Sequence, residues 1–88
     1  MNDVQMNDMQ IEDKIREYIY QQYPDLQGKL AENDPLAGVL DSLAVLGVVG
    51  FIEPEFSIEL SASDLTDENF ESIASIARLI ERLSSGVK

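Results

Sequence analysis

Asp41-Ser42-Leu43-Ala44-Val45-Leu46-Gly47-Val48-Val49-Gly50-Phe51-Ile52 is the stretch on which the reading of this chain turns. From Leu43 to Ile52 it carries no charge, and it is longer than a typical strand. Asp41 is of the residue class that caps helix N-termini by accepting a backbone N–H, so the pattern predicts a helix that begins at Ser42. Leu46 and Val49 are expected inside, because a domain this small needs such residues in its core. Pro54 predicts that the helix ends or bends near Ile52, since an interior proline loses a hydrogen bond and clashes with the preceding turn, at about 3 kcal/mol or more. Gly47 and Gly50 weaken the helix further, by about 0.5–1 kcal/mol each relative to alanine.

Outward from that helix, Tyr23 to Leu40 holds Pro24, Gly28, Asn33-Asp34-Pro35 and Gly38 with no sustained period, which reads as a long connecting loop. Loops of that length are uncommon in compact domains unless they have a role. Before it, Ile11, Ile15, Tyr18 and Ile19 recur at helical spacing among Glu12, Asp13, Lys14, Arg16 and Glu17, predicting a helix from about Asp8 to Gln22, with Asn7 or Asp8 as cap. On the other side, Phe56, Ile58 and Leu60 alternate with polar residues but have no partner strand, so they read as a loop with its apolar residues turned inward. Ser61 to Leu65 suits one short helical turn. Asn69 is the expected cap of a last helix whose apolar residues Phe70, Ile73, Ile76, Ala77, Ile80 and Leu83 repeat at threes and fours. The expectation is an all-α fold: a small bundle of three main helices plus one short helix. Residues 1–6 read as a tail, 7–84 as one domain and 85–88 as a second tail.

The 88 residues include no cysteine and no histidine, so the chain has no thiolate nucleophile, and it lacks the commonest general base and the commonest metal ligand. An enzyme is not expected. The formal net charge is −11, and every charged residue between Lys29 and Arg78 is acidic. Such a field repels nucleic acid and anionic lipid and favours basic protein surfaces. Met1 to Gln10 carry no positive charge and no apolar run, so neither a signal peptide nor a membrane span is read there, and a soluble cytoplasmic monomer is expected.

Asp41-Ser42-Leu43 alone specifies little beyond a capped helix start. In context, Gly38-Val39-Leu40-Asp41-Ser42-Leu43, preceded by Pro35-Leu36 and followed by Phe51-Ile52-Glu53-Pro54-Glu55-Phe56-Ser57-Ile58-Glu59-Leu60, resembles the carrier proteins of fatty acid, polyketide and nonribosomal peptide pathways. The similarity runs from about Ile11 to Leu83. It implies a four-helix carrier-protein bundle of the stand-alone acyl or peptidyl type. Ser42 would receive 4'-phosphopantetheine from coenzyme A through a phosphopantetheinyl transferase. The arm's thiol would then hold an acyl or aminoacyl group as a thioester, for a loading ligase or transferase and downstream biosynthetic enzymes. A phosphodiester at the first turn of a helix suits the free N–H groups and positive dipole end there. Asp41 is expected both to cap the helix and, as the resemblance implies, to help orient the transferase and its metal. Leu43 is expected to pack beside the modified serine.

Ala44, Gly47 and Gly50, with Glu53 one turn further, are expected to share an exposed face where partner enzymes dock. The family often has acidic or large polar residues on that face and glutamate where Pro54 stands, so these departures point to a dedicated partner set. Two other readings remain beside the carrier. One is an acidic helical adapter with a carrier-like fold and no arm. The other is a calcium site at Asp64, Asp67, Glu68 and Glu71, against which stands the absence of D-x-D-x-D-G spacing.

Overall fold

The computed structural model describes residues 8–84 and shows an all-α bundle in which those residues form no strand. Three helices make up the framework: α1 spans Asp8–Gln22, α2 Ser42–Phe56 and α3 Ile73–Ser84. Two single turns of 3-10 helix, Pro24–Leu26 and Ala62–Asp64, sit in the connections. The second is the expected short helical turn, and the first lies within the stretch read from sequence as irregular loop. The tails at 1–6 and 85–88, and Asn7 as a cap, lie outside the described residues.

The centre of the fold is α3. From Ile73 to Ile80 every residue except Arg78 is buried, so this helix is enclosed on nearly all sides. It is covered by Ile11, Ile15 and Ile19, which stand on one stripe of α1, and by Val48 and Ile52, the two fully buried residues of α2. Leu30, Leu36, Ile58 and Phe70 close the core from the connections. The apolar residues of 56–60 divide between elements: Phe56 ends α2 half-buried, and only Ile58 is buried.

Four sequence expectations change. Asn69 does not cap the last helix. It is tied backward instead, its side-chain amide donating to the Asp64 carbonyl at 2.8 Å. The hydroxyl of Ser72 accepts the Ser75 N–H at 3.1 Å, which is the capping contact, so α3 starts at Ile73. Next, α2 runs unbroken through Pro54 to Phe56. The proline lies in the last turn, and the carbonyl it would crowd belongs to Gly50, which is exposed to solvent. The helix stops at Ser57, which adopts the left-handed conformation (φ 56°, ψ 46°), with the Ile58 N–H donating to the Glu53 carbonyl at 3.1 Å.

The other two corrections concern which way α2 faces. Leu46 is 56% exposed rather than core, whereas Val49 is half-buried and packs against the core, as expected. Of the expected exposed face, only Gly50 is fully exposed; Ala44, Gly47 and Glu53 are half-buried. The inward residues are Val48 and Ile52, one turn apart, and the rest of the stripe follows from them. Because α2 is apolar nearly all round, its residue pattern carried no directional signal.

The long connection from α1 to α2 is anchored at both ends of its course. Arg16 on α1 donates from Nε to the Leu30 carbonyl at 3.0 Å while its other nitrogens meet Asp13 and Glu32, and the Leu30 N–H donates to the Tyr20 hydroxyl at 3.2 Å. Further along, the Glu32 carbonyl accepts the Ala74 N–H, one of the donors a helix start leaves unpaired, and the Leu36 N–H donates to the Glu71 carbonyl, each at 2.8 Å. The loop thus caps α3 before delivering the chain to α2.

Candidate functional site

Ser42 is the first residue of α2 and is exposed. What puts it there is a tight turn in which the Val39 and Leu40 N–H groups both donate to the Leu36 carbonyl at 2.9 Å. Gly38 makes this turn possible, because its φ of 85° lies in a region that side chains other than glycine's rarely adopt. Leu36 is buried and pinned to Glu71, so the turn has a fixed base.

Asp41 then caps α2 as its sequence position suggested. Its backbone is extended, its carboxylate Oδ1 accepts the Ala44 N–H at 2.8 Å and its carbonyl accepts the Val45 N–H at 2.9 Å. The N–H groups of Ser42 and Leu43 precede any intrahelical acceptor and remain at the positive end of the helix. The exposed Ser42 hydroxyl adjoins this helix start, where free N–H groups and the dipole favour an anion. The chemistry of these donors fits a phosphodiester linked through Ser42. The chain contains no histidine or cysteine that could activate the hydroxyl.

Beside Ser42 an open groove of about 280 Å³ lies between α1 and α2. Asp41 and Leu43, the residues on either side of Ser42, both line it, together with Leu40, Ala44, Gly47 and Val48. Tyr18, Ile19, Gln22 and Tyr23 form the α1 side. Leu43 is 77% exposed, so it stands at the rim beside the serine. Tyr18 stacks on Phe51 with ring centroids 4.6 Å apart, and its hydroxyl rests against Gly47, 3.0 Å from where a Cβ would be. Gly47 is thus a packing position between α1 and α2, facing inward at the groove.

The expected site residues therefore separate. Asp41, Ser42 and Leu43 come together at the helix start, with Ala44 and Gly47 along the groove, whereas Gly50 lies out in solvent. Glu53 serves the fold by accepting the Leu60 N–H at 2.9 Å. Leu43 and Leu46, not the glycines, are the exposed large apolar residues of α2. Tyr18, Tyr23 and Leu40 were not singled out by sequence as site residues, because a groove between elements distant in the chain leaves no local pattern. Among the acids considered for calcium, the Asp64 carboxylate accepts the Ser61 N–H and hydroxyl in a capping box. No group of three potential metal-ligating side chains converges among the described residues, and no helix among them is long and apolar enough to cross a membrane. No protein-family model and no curated protein matches the chain.

Proposed function

We propose that this chain is a carrier protein, with Ser42 as the attachment point of a 4'-phosphopantetheine arm. The observation that carries the reading is the Ser42 hydroxyl, exposed at the first position of a helix whose start is held by Asp41. In the loading reaction the seryl oxygen forms a bond to the phosphorus of coenzyme A that bears the pantetheine. The phosphoanhydride bond breaks, adenosine 3',5'-bisphosphate leaves, and the seryl proton passes to a base of the phosphopantetheinyl transferase. When bound, the arm supplies a thiol that holds an acyl or aminoacyl group as a thioester.

The chain's own residues present and orient. Asp41 holds the first turn, which keeps Ser42 outward, and the N–H groups of Ser42 and Leu43 favour the negative charge added there. The acidic surface suits encounter with basic patches on the transferase, on a loading ligase or transferase, and on downstream biosynthetic enzymes. The setting we propose is cytoplasmic and monomeric, with no catalysis by the chain itself. Exposed Leu43 and Leu46 favour one second reading, an adapter of the same fold with no arm, in which these two leucines meet a partner directly. Incubation with coenzyme A and a broad-specificity transferase separates the two by intact mass: a carrier gains one phosphopantetheinyl group, and an adapter keeps its mass.

A further inference from the structure

The groove between α1 and α2 has a composition and a position that the attachment of an arm does not by itself explain. One wall is apolar, made by the half-buried Leu40 and Ala44, while the facing wall presents the Tyr18 hydroxyl. That hydroxyl forms no hydrogen bond with the described residues. The ring is held in place by its stack on Phe51, so the hydroxyl is a positioned donor. Its closeness to α2 depends on Gly47, where a Cβ would lie 3.0 Å from the oxygen.

We infer that this groove receives the arm attached to Ser42, specifically the segment that follows the phosphodiester: a geminal dimethyl carbon, a hydroxyl and an amide. The inference rests on the carrier reading given above. Three observations select this occupant. The groove adjoins the attachment point, since the residues immediately before and after Ser42 both line it although Ser42 itself does not. Its volume of about 280 Å³ is near the lower limit of small-molecule sites, which suits a segment of an arm and is small for an independent ligand. Its apolar wall matches the geminal methyls, and the Tyr18 hydroxyl matches an amide carbonyl as acceptor. Tethering raises the local concentration of the segment, so even weak contacts produce measurable occupancy. Docked there, the arm lies against α1, and a partner enzyme has to draw it out before using the thiol.

The test is isotope-filtered NMR on the full chain after loading from unlabelled coenzyme A, with intact mass measured on the same sample. Cross-peaks between the arm's geminal methyl protons and both the Tyr18 ring and the Ala44 methyl are expected. Tyr18→Phe keeps the ring on Phe51 and removes only the donor. A hydrogen bond of ordinary net strength corresponds to a fall of about five-fold in the docked-to-free ratio, read as weaker cross-peaks. A mass gain of one arm with no contact to Tyr18 or Ala44 overturns the inference and leaves the carrier reading standing. Cross-peaks unchanged in Tyr18→Phe overturn it as well, because the hydroxyl is then not what holds the segment. No mass gain under these conditions overturns both.

Discussion

Replacing Gly47 by alanine sets two effects of similar size against each other. In a helix interior, glycine to alanine stabilises by about 0.5–1 kcal/mol, and Gly50, with nothing within 4 Å of its would-be Cβ, should give that full gain. At Gly47 the new methyl would lie 3.0 Å from the Tyr18 hydroxyl oxygen, tighter than ordinary van der Waals contact, and Tyr18 can yield only by sliding on Phe51. Aromatic pairs of this kind contribute about 0.5–1.5 kcal/mol beyond burial, so disturbing the stack offsets the helical gain. Gly47→Ala is therefore expected to be neutral or slightly destabilising, and in a Tyr18→Phe background it should recover a gain close to that of Gly50→Ala. Urea or thermal unfolding of the four members of the cycle measures the coupling, expected at about 0.5–1 kcal/mol. At this chain length about 1 kcal/mol moves the midpoint by roughly 4–8 °C, well within resolution. Equal stabilisation by Gly47→Ala and Gly50→Ala, with and without the tyrosine hydroxyl, would refute the proposed contact between α1 and α2.

Other substitutions probe the site and its support. Asp41→Ala should cost about 0.5–2 kcal/mol by removing the acceptor of the Ala44 N–H, while Asp41→Asn should nearly preserve stability. If Asp41 also serves the transferase, both variants will load more slowly, and equal loading by Asp41→Asn and wild type shows that capping is its whole role. Gly38→Ala forces a side chain into a left-handed turn at φ 85° and should cost about 1–2 kcal/mol in denaturant unfolding; an unchanged midpoint would show that this turn is not needed. Ile76→Ala, at the fully buried centre of α3, should lose about 2–5 kcal/mol, a large share of the 5–15 kcal/mol typical of a domain. A loss under 1 kcal/mol would contradict α3 as the centre of the core.

The sequence carried the helices well where their apolar residues form a narrow stripe. Ile11, Ile15 and Ile19 marked the buried face of α1, and all three are in the core. The start of α2 was equally readable, because Asp41 acts locally on the Ala44 N–H. The facing of α2 was not, since ten consecutive uncharged residues satisfy several orientations, and only Val48 and Ile52 proved fully inward. Pro54 misled because its cost depends on where in the helix it stands, and in the last turn beside an exposed Gly50 it is tolerated. Asn69 is a good cap by type, yet Ser72 holds that place, where the long loop ties down the start of α3 through Glu32 to Ala74 and Leu36 to Glu71. At the candidate site, Asp41, Ser42 and Leu43 were legible as neighbours in sequence. The groove was not, because Tyr18 and Gly47 meet only through the packing of α1 on α2.

The central claim is that Ser42 carries the arm, and mass spectrometry of the intact chain with fragment mapping tests it most directly. After incubation with coenzyme A and a broad-specificity phosphopantetheinyl transferase, the wild-type chain should gain one phosphopantetheinyl group, mapped by fragmentation to Ser42, and Ser42→Ala should gain none. An unmodified wild-type chain, or an equal gain in Ser42→Ala, would contradict it.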